Sequence, residues 1–306
     1  MPHDVTHDTL AAAATWGDAL HQATAWLRDT AASDSPSLDA QVLLAHVTGA
    51  SRPVLLAYPE RQLTPEQAAL YADLVSRRAN REPVAYLTGH REFLGLDFLT
   101  DPRALIPRPE TELLVEAALT ELRARFEHAP TAVLIAADIG TGSGAVAASL
   151  ASHEPRLARV YATDISPAAL ALATENTQRL GVSDRITFLQ GDLLTPLPEP
   201  VDLLLANLPY VAERDAATLP PDVTRFEPHL ALYSADDGLA HLRRFFADAP
   251  AHLRPGATLF LEFGYDQRDA VTALAHQSFP TGAVRIGTDY AGWDRYAIVH
   301  TSSAHS

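Results

Sequence analysis

The chain has 306 residues, is 47% hydrophobic and 20% charged, and carries a formal net charge of −15. That length suits two domains with a sizeable core, and the acidic balance argues against a protein that grips nucleic acid through its phosphates. Cysteine is absent, which excludes disulfides, thiolate metal sites and cysteine nucleophiles.

Apolar runs stay well short of the roughly eighteen residues of a membrane span. The N-terminal stretch lacks the basic-then-apolar order of a signal peptide. A cytoplasmic, monomeric protein without a bound metal and without direct nucleic-acid contact is expected. The one arginine-rich segment, RRANREP at 77–83 with Arg91 beyond it, reads as a solvated helix end.

Residues 10–80 read as helical. TWGDALHQATAWLRDT places Trp16, Leu20, Ala23 and Leu27 on one face. SPSLDAQVLLAHVTG runs from serine caps to a stop at Gly49, and TPEQAALYADLVSRRAN offers Thr64 as a cap with Pro65 in the first turn. Three to five helices in a small bundle are expected over residues 1–82. His21 and His46 stand alone in it and read as ordinary packed or surface histidines.

Residues 83–107 change character. Two short aromatic runs each carry a glycine and the segment ends in prolines, which predicts a β-hairpin connector. A helical period follows over 111–126, with Glu110, Glu112 and Glu116 early and arginines late, the charge order the helix dipole favours.

From 131 the pattern alternates. AVLIAAD, RVYATD, RITFLQ, VDLLLAN and ATLFLEF are strand candidates, with helical stretches at 166–180 and 236–253. This predicts a mainly parallel sheet covered by helices on both faces, in a domain spanning 108–306. The terminal GAVRIGTDYAGWDRYAIVHT adds two strands joined by a glycine turn, an antiparallel edge.

The chemistry gathers where strands end. ADIGTGSGAVAASLA is strand, glycine turn, helix. Gly140, Gly142 and Gly144, with Thr141 and Ser143 between them, permit backbone approaches that a Cβ would block. Asp138 precedes the turn, and a carboxylate there disfavours a pyrophosphate but suits a sulfonium or ammonium. Asp164 closes the second strand and suits a ribose diol. Asp192 closes the third and suits the amine of adenine. Asn207 closes the fourth. Each aspartate alone also reads as a helix N-cap, but four polar groups in step along the ligand edge of an open sheet point to S-adenosyl-L-methionine.

In Asn207-Leu208-Pro209-Tyr210 the Asn207 side-chain carbonyl and the Leu208 backbone carbonyl are two acceptors for the hydrogens of a planar NH₂ group. Pro209 stiffens the segment, and Tyr210 offers a stacking face. Asn207, Pro209 and Tyr210 are therefore the candidate catalytic residues. An amide or aromatic amine is a poor nucleophile, so in-line positioning is where rate is gained.

LTGHREFLGLDFLTDPRALIPRPETELLVE, DIGTGSGAVA, NLPYV and VTRFEPHLAL together resemble the bacterial peptide chain release factor glutamine N5-methyltransferases, over essentially the whole chain. The resemblance implies a class I methyltransferase fold: a Rossmann-like seven-stranded sheet with an antiparallel edge strand, a small N-terminal helical domain that docks the substrate, and a β-hairpin connector. It implies S-adenosyl-L-methionine as donor and the glutamine of the Gly-Gly-Gln motif of class 1 release factors as acceptor. By motif position Gly140 to Gly144 line the cofactor, Asp164 holds the ribose, and Asp192 and Leu193 border the adenine. Asn207 to Tyr210 receive the glutamine amide, Phe98, Arg108 and Pro109 close over the site, and Glu227-Pro228 braces it.

The family reads Asn-Pro-Pro-Tyr where this chain has Leu208. The carbonyl is kept, but its φ is no longer locked by a ring. Asn-Leu-Pro-Tyr is familiar in rRNA adenine dimethyltransferases, so the competing expectation is adenine N6-methylation of DNA or RNA, with a flipped base on Tyr210.

Overall fold

A computed structural model describes residues 6–235 and 237–302. The chain forms two compact units, one of residues 1–90 with 220–226, the other of 91–219 with 227–306.

In the first unit the helices are α1 (His7–Ala11), α2 (Trp16–Asp29), α3 (Pro36–Thr48), α4 (Arg52–Ala57), α5 (Pro65–Ala79) and α6 (Val84–Thr88). Thr64 and Gln67 close a reciprocal capping box at the start of α5, satisfying amides that the helix itself cannot. Gly49 ends α3 at φ +69°, the left-handed cap that glycine takes without cost. Leu27, Leu43, Leu44, Tyr71 and Val75 are fully buried among these helices. The Tyr71 hydroxyl donates to the Ala40 carbonyl at 3.0 Å, and Arg78 pairs with Asp39 at 2.7 Å, both groups buried. α6 occupies the start of the predicted hairpin connector. VAYLT, stopped by Gly89 at φ +76°, winds one helical turn where two aromatic runs had predicted strand.

The hairpin itself is shorter than 83–107: β1 (His90–Phe93) and β2 (Leu96–Leu99). Then come α7 (Pro109–His128), β3 (Ile135–Ile139), α8 (Ala145–His153), β4 (Arg159–Asp164), α9 (Pro167–Arg179), β5 (Ile186–Gln190) and β6 (Val201–Asn207). After β6 the chain runs through β7 (Val211–Ala212), α10 (Pro221–Phe226), α11 (His229–Leu232), β8 (Tyr233–Ser234) and α12 (Ala240–Asp248). It ends with β9 (Leu253–Glu262), α13 (Arg268–Ser278), β10 (Ala283–Thr288) and β11 (Asp294–His300).

The seven-stranded sheet has the order β10-β11-β9-β6-β3-β4-β5. β9, β6, β3, β4 and β5 are parallel neighbours, and β11 lies between β9 and β10, antiparallel to both. Alternation along each strand sends side chains to opposite faces. Ala136, Leu203 and Leu205 join Val115, Leu122 and Leu150 of α7 and α8 in one apolar layer. Ala137, Leu204 and Ala206 join Leu242, Phe245 and Val271 of α12 and α13 in the other. The register Asp138↔Leu205 and Asn207↔Glu262 brings three polar strand ends to one edge. No helix of the described residues is long and apolar enough to cross a membrane.

Candidate active site

At the carboxyl edge of β3, β4, β5 and β6 lies a cavity of ≈ 530 Å³, within the ~300–1,000 Å³ of small-molecule sites. Its wall includes Asp138, Gly140 to Ser143, Asp164, Asp192, Leu193 and Asn207 to Pro209. The polar residues that the sequence placed at four strand ends therefore share one space.

The glycine turn is held from below. Gly140 and Thr141 amides both donate to the Thr163 carbonyl at 2.9 Å. The Asp138 carboxylate is 2% exposed and accepts the Thr141 hydroxyl at 2.6 Å and the Ala147 amide at 3.2 Å. Burial pushes it up to about 7, the two hydrogen bonds opposing and the nearby Asp164 charge adding to the rise. Gly140 sits at φ +73°, and a Cβ there would meet the Leu208 side chain at 3.3 Å and the Asn207 carbonyl at 3.6 Å. The tetrapeptide thus lies directly against the glycine turn. The apolar Leu208 is itself buried in the sheet's core layer, which holds the segment by packing.

Asp164 receives the Gly142 amide on Oδ2 and the Ser166 amide on Oδ1, each at 2.9 Å. Burial still raises its pKa. Each oxygen keeps further lone pairs, so a diol could donate to both and relieve the buried charge. Asp192 also lines the cavity, but its Oδ2 pairs with Arg244 of α12, leaving Oδ1 for a ligand amine. Leu193 adopts φ +50° and its carbonyl accepts the Thr163 hydroxyl at 3.1 Å.

Asn207 is set by side chains from two other elements. Its Nδ2 donates to Thr111 Oγ1 at 3.0 Å, and Thr111 Oγ1 donates to Glu262 Oε2 at 2.6 Å. Asn207 Oδ1 is thereby left as the acceptor on the opposite side of the amide. Glu262 is 2% exposed, and burial pushes it up to about 7. Across the cavity, Arg108 lines the wall and pairs with Glu227 at 2.5 Å, while the other oxygen of Glu227 takes the Ile106 amide at 3.1 Å. Glu227 thus ties the segment before α7 to the start of α11.

Four expected site residues take other roles. Phe98 is fully buried and meets Phe93 edge-on, ring centres 6.1 Å apart, because its face of the hairpin turns to the core; Phe93 reaches the cavity instead. Pro109 is exposed at the first turn of α7, where a missing N–H costs nothing, and is outside the cavity wall. Gly144 leaves the wall because its function is packing: at φ +80°, a Cβ would stand 3.0 Å from Ala173 of α9. Tyr210 is outside the cavity wall, its hydroxyl 3.4 Å from Glu262 Oε1 and its carbonyl accepting Gln267 Nε2 at 2.9 Å.

Thr111, Phe93, His241 and Asn176 carry no local pattern in the sequence that marks them as site residues. Asn176 is fully buried and joins the hairpin to the glycine turn, donating to the Leu99 and Ser143 carbonyls at 3.1 and 2.9 Å. Glu262 did carry a signal, a lone acid closing the apolar run ATLFLEF.

The cavity suits a cationic nucleoside donor on its own geometry: a buried carboxylate beside a turn whose missing Cβ atoms leave room, and a second carboxylate with unspent acceptors. Family comparisons agree. The family model described as "PrmC N-terminal domain" matches residues 18–89, and the one described as "Methyltransferase domain" matches residues 136–226. Among solved structures, the hMettl16 catalytic domain is similar at a TM-score of 0.52 and 18% identity, covering 75% of this chain and 82% of that one, which supports the class I methyltransferase fold.

The release factor glutamine methyltransferase of Moorella thermoacetica is 47% identical over 268 residues, 87% of this chain and 92% of the relative. That of Bordetella pertussis is 46% identical over 79% of this chain and 87% of the relative. That of Cereibacter sphaeroides is 41% identical over 94% and 99%. The chain belongs to the release factor glutamine methyltransferase family.

Proposed function

We propose that this protein transfers a methyl group from S-adenosyl-L-methionine to the side-chain amide nitrogen of a glutamine, the one in the Gly-Gly-Gln motif of class 1 peptide chain release factors. The observation that carries this reading is the orientation of Asn207: with its Nδ2 turned to donate to Thr111, the other branch of the carboxamide, Oδ1, is the acceptor it offers the cavity. An incoming primary amide has two N–H groups to give. Asn207 Oδ1 takes one and the Leu208 carbonyl the other, which fixes the plane of the group and turns the nitrogen face toward the glycine-turn side of the cavity.

Bound there, S-adenosyl-L-methionine supplies an electrophilic methyl carbon on a sulfonium. The chain's part is placement. Asp164 takes the ribose hydroxyls, Asp138 faces the cationic end, and Asp192 Oδ1 and Leu193 border the adenine. Arg108, braced by Glu227, closes the acceptor side. Acceptors on the amide hydrogens favour the more tetrahedral nitrogen of the transition state over the flat ground state, so their effect falls on turnover. The helical unit serves as the docking surface for the release factor, and the protein acts as a cytoplasmic monomer.

Incubation with tritiated S-adenosyl-L-methionine and a release factor is expected to label the factor, and to leave unlabelled the same factor with its Gly-Gly-Gln glutamine changed to alanine. Equal label in both would refute the assignment. Adenine N6-methylation is not favoured, given a net charge of −15 and the names of the full-length relatives. Methyl transfer to rRNA or DNA would be the result that revives it.

A further inference from the structure

Asn207 has two amide flips, and only one presents an acceptor to the cavity. Nothing in the residue itself chooses between them, since the two ends of a carboxamide are nearly the same size. The choice is made from outside. We infer that Glu262 is a positioning residue for methyl transfer: acting through Thr111, it holds Asn207 in the flip that turns Oδ1 toward the acceptor amide. This rests on the reading of the acceptor as a primary amide.

An ionised Glu262 is an acceptor only, so the Thr111 hydroxyl must donate to it, and the 2.6 Å contact is the short kind that a charged acceptor gives. The Thr111 oxygen can then only accept from Asn207, which selects Nδ2 at 3.0 Å. Protonating Glu262 reverses the chain. Its new O–H can donate to Thr111, the Thr111 hydroxyl is released to donate to Asn207, and the flip with Oδ1 turned inward becomes favourable. The cavity then meets an NH₂ where an acceptor amide needs an oxygen.

The groups facing Glu262 set where this change falls. Thr111 and Glu110 face it from α7, Tyr210 from the segment after β6, and Arg295 from β11. Burial raises its pKa and the Glu110 charge adds to the rise. Thr111, Arg295 and the Tyr210 hydroxyl oppose it, and the balance stands at about 7. The ionised form therefore dominates only above neutrality.

Thr111→Val keeps the shape and removes the relay. At saturating donor its turnover on the release factor is expected to fall by roughly 10- to 10²-fold, with donor affinity held within about twofold because, among the described residues, the Thr111 side chain hydrogen-bonds Asn207 and Glu262 alone. Thr111→Ser is expected to recover most of the loss. Wild-type turnover should decline below about pH 7, whereas in Glu262→Gln, whose amide oxygen accepts from Thr111 at any pH, this acid limb should vanish. Unchanged turnover in Thr111→Val, or an acid limb that persists in Glu262→Gln, would overturn the relay.

A second measurement needs no acceptor. The chain has three asparagines, Asn80, Asn176 and Asn207, so selective ¹⁵N-asparagine labelling gives three side-chain NH₂ signals, that of Asn207 assigned by its loss in Asn207→Ala. Its shift should titrate near pH 7 in the wild type and not in Thr111→Val. A pH-independent Asn207 signal would overturn the relay. An absence of release factor methylation beside a titrating signal would overturn the substrate assignment alone.

Discussion

On the glycine-turn side of the cavity, Asp138 and Asp164 are held by atoms within 22 residues of them in the chain. Asp138 is bonded by Thr141, three residues on, and by Ala147, nine on. Asp164 is bonded by Ser166, two residues on, and by Gly142 of the neighbouring strand's turn. On the amide-corner side, Asn207 is held by Thr111, 96 residues away, and Thr111 by Glu262, a further 151. The first wall is mostly backbone amides and follows once the sheet forms. The second is a chain of side chains that only tertiary packing assembles. The donor wall should therefore fail in binding and the acceptor wall in turnover.

The sharpest break is Asn207→Ala. Removing one preorganised polar group costs ~10²-fold or more in turnover, and donor affinity measured by calorimetry should change far less. Equal losses in both would erase the distinction between the walls. Asp164→Ala should do the reverse. Losing hydrogen bonds to a charged acceptor is worth ~1.5–3 kcal/mol, so the donor Kd should rise by roughly tenfold or more while turnover at saturation changes less.

Gly238 tests what lies behind the corner. At φ +84°, a Cβ there would stand 2.3 Å from the Tyr210 carbonyl. Gly238→Ala should therefore destabilise the fold by ~1–3 kcal/mol, read as a lowered Tm, and disturb turnover more than donor binding.

The smallest effects are in pH. Asp138 and Glu262 rise from ordinary values of 3.8 and 4.5 to about 7 on folding. Between about pH 4 and 7 the folded chain holds more protons than the unfolded one, so stability falls as pH rises across that window and levels off above it. Glu262→Gln and Asp138→Asn should each flatten this slope in denaturant titrations. Donor affinity should weaken below about pH 7, by at most tenfold per unit, as a proton competes for Asp138. Asp138→Asn should remove that dependence, whereas Thr111→Val on the far wall should leave it.

The same contrast explains what the sequence made legible. Strand–helix alternation foretold the parallel core of the sheet, and the turn chemistry of Gly140 and Gly142 and the acids at strand ends foretold residues that share one cavity wall, because these are local patterns with local causes. Thr64, Pro65 and Gly49 marked helix ends for the same reason. The misplaced residues are those whose direction depends on a distant partner. Phe98 and Phe93 sit on neighbouring strands of one hairpin, and only packing decides which reaches the cavity. Tyr210 follows the corner in sequence but turns to Glu262. α6 formed where two glycines and aromatic residues resembled strand, because Gly89 supplies a left-handed stop.

The most direct test is to methylate a release factor with this protein and localise the added methyl by tandem mass spectrometry. A single modification on the side-chain amide of the Gly-Gly-Gln glutamine, absent with Asn207→Ala, is the expected result. A methyl on any other residue, or on a nucleic acid base instead, would contradict it.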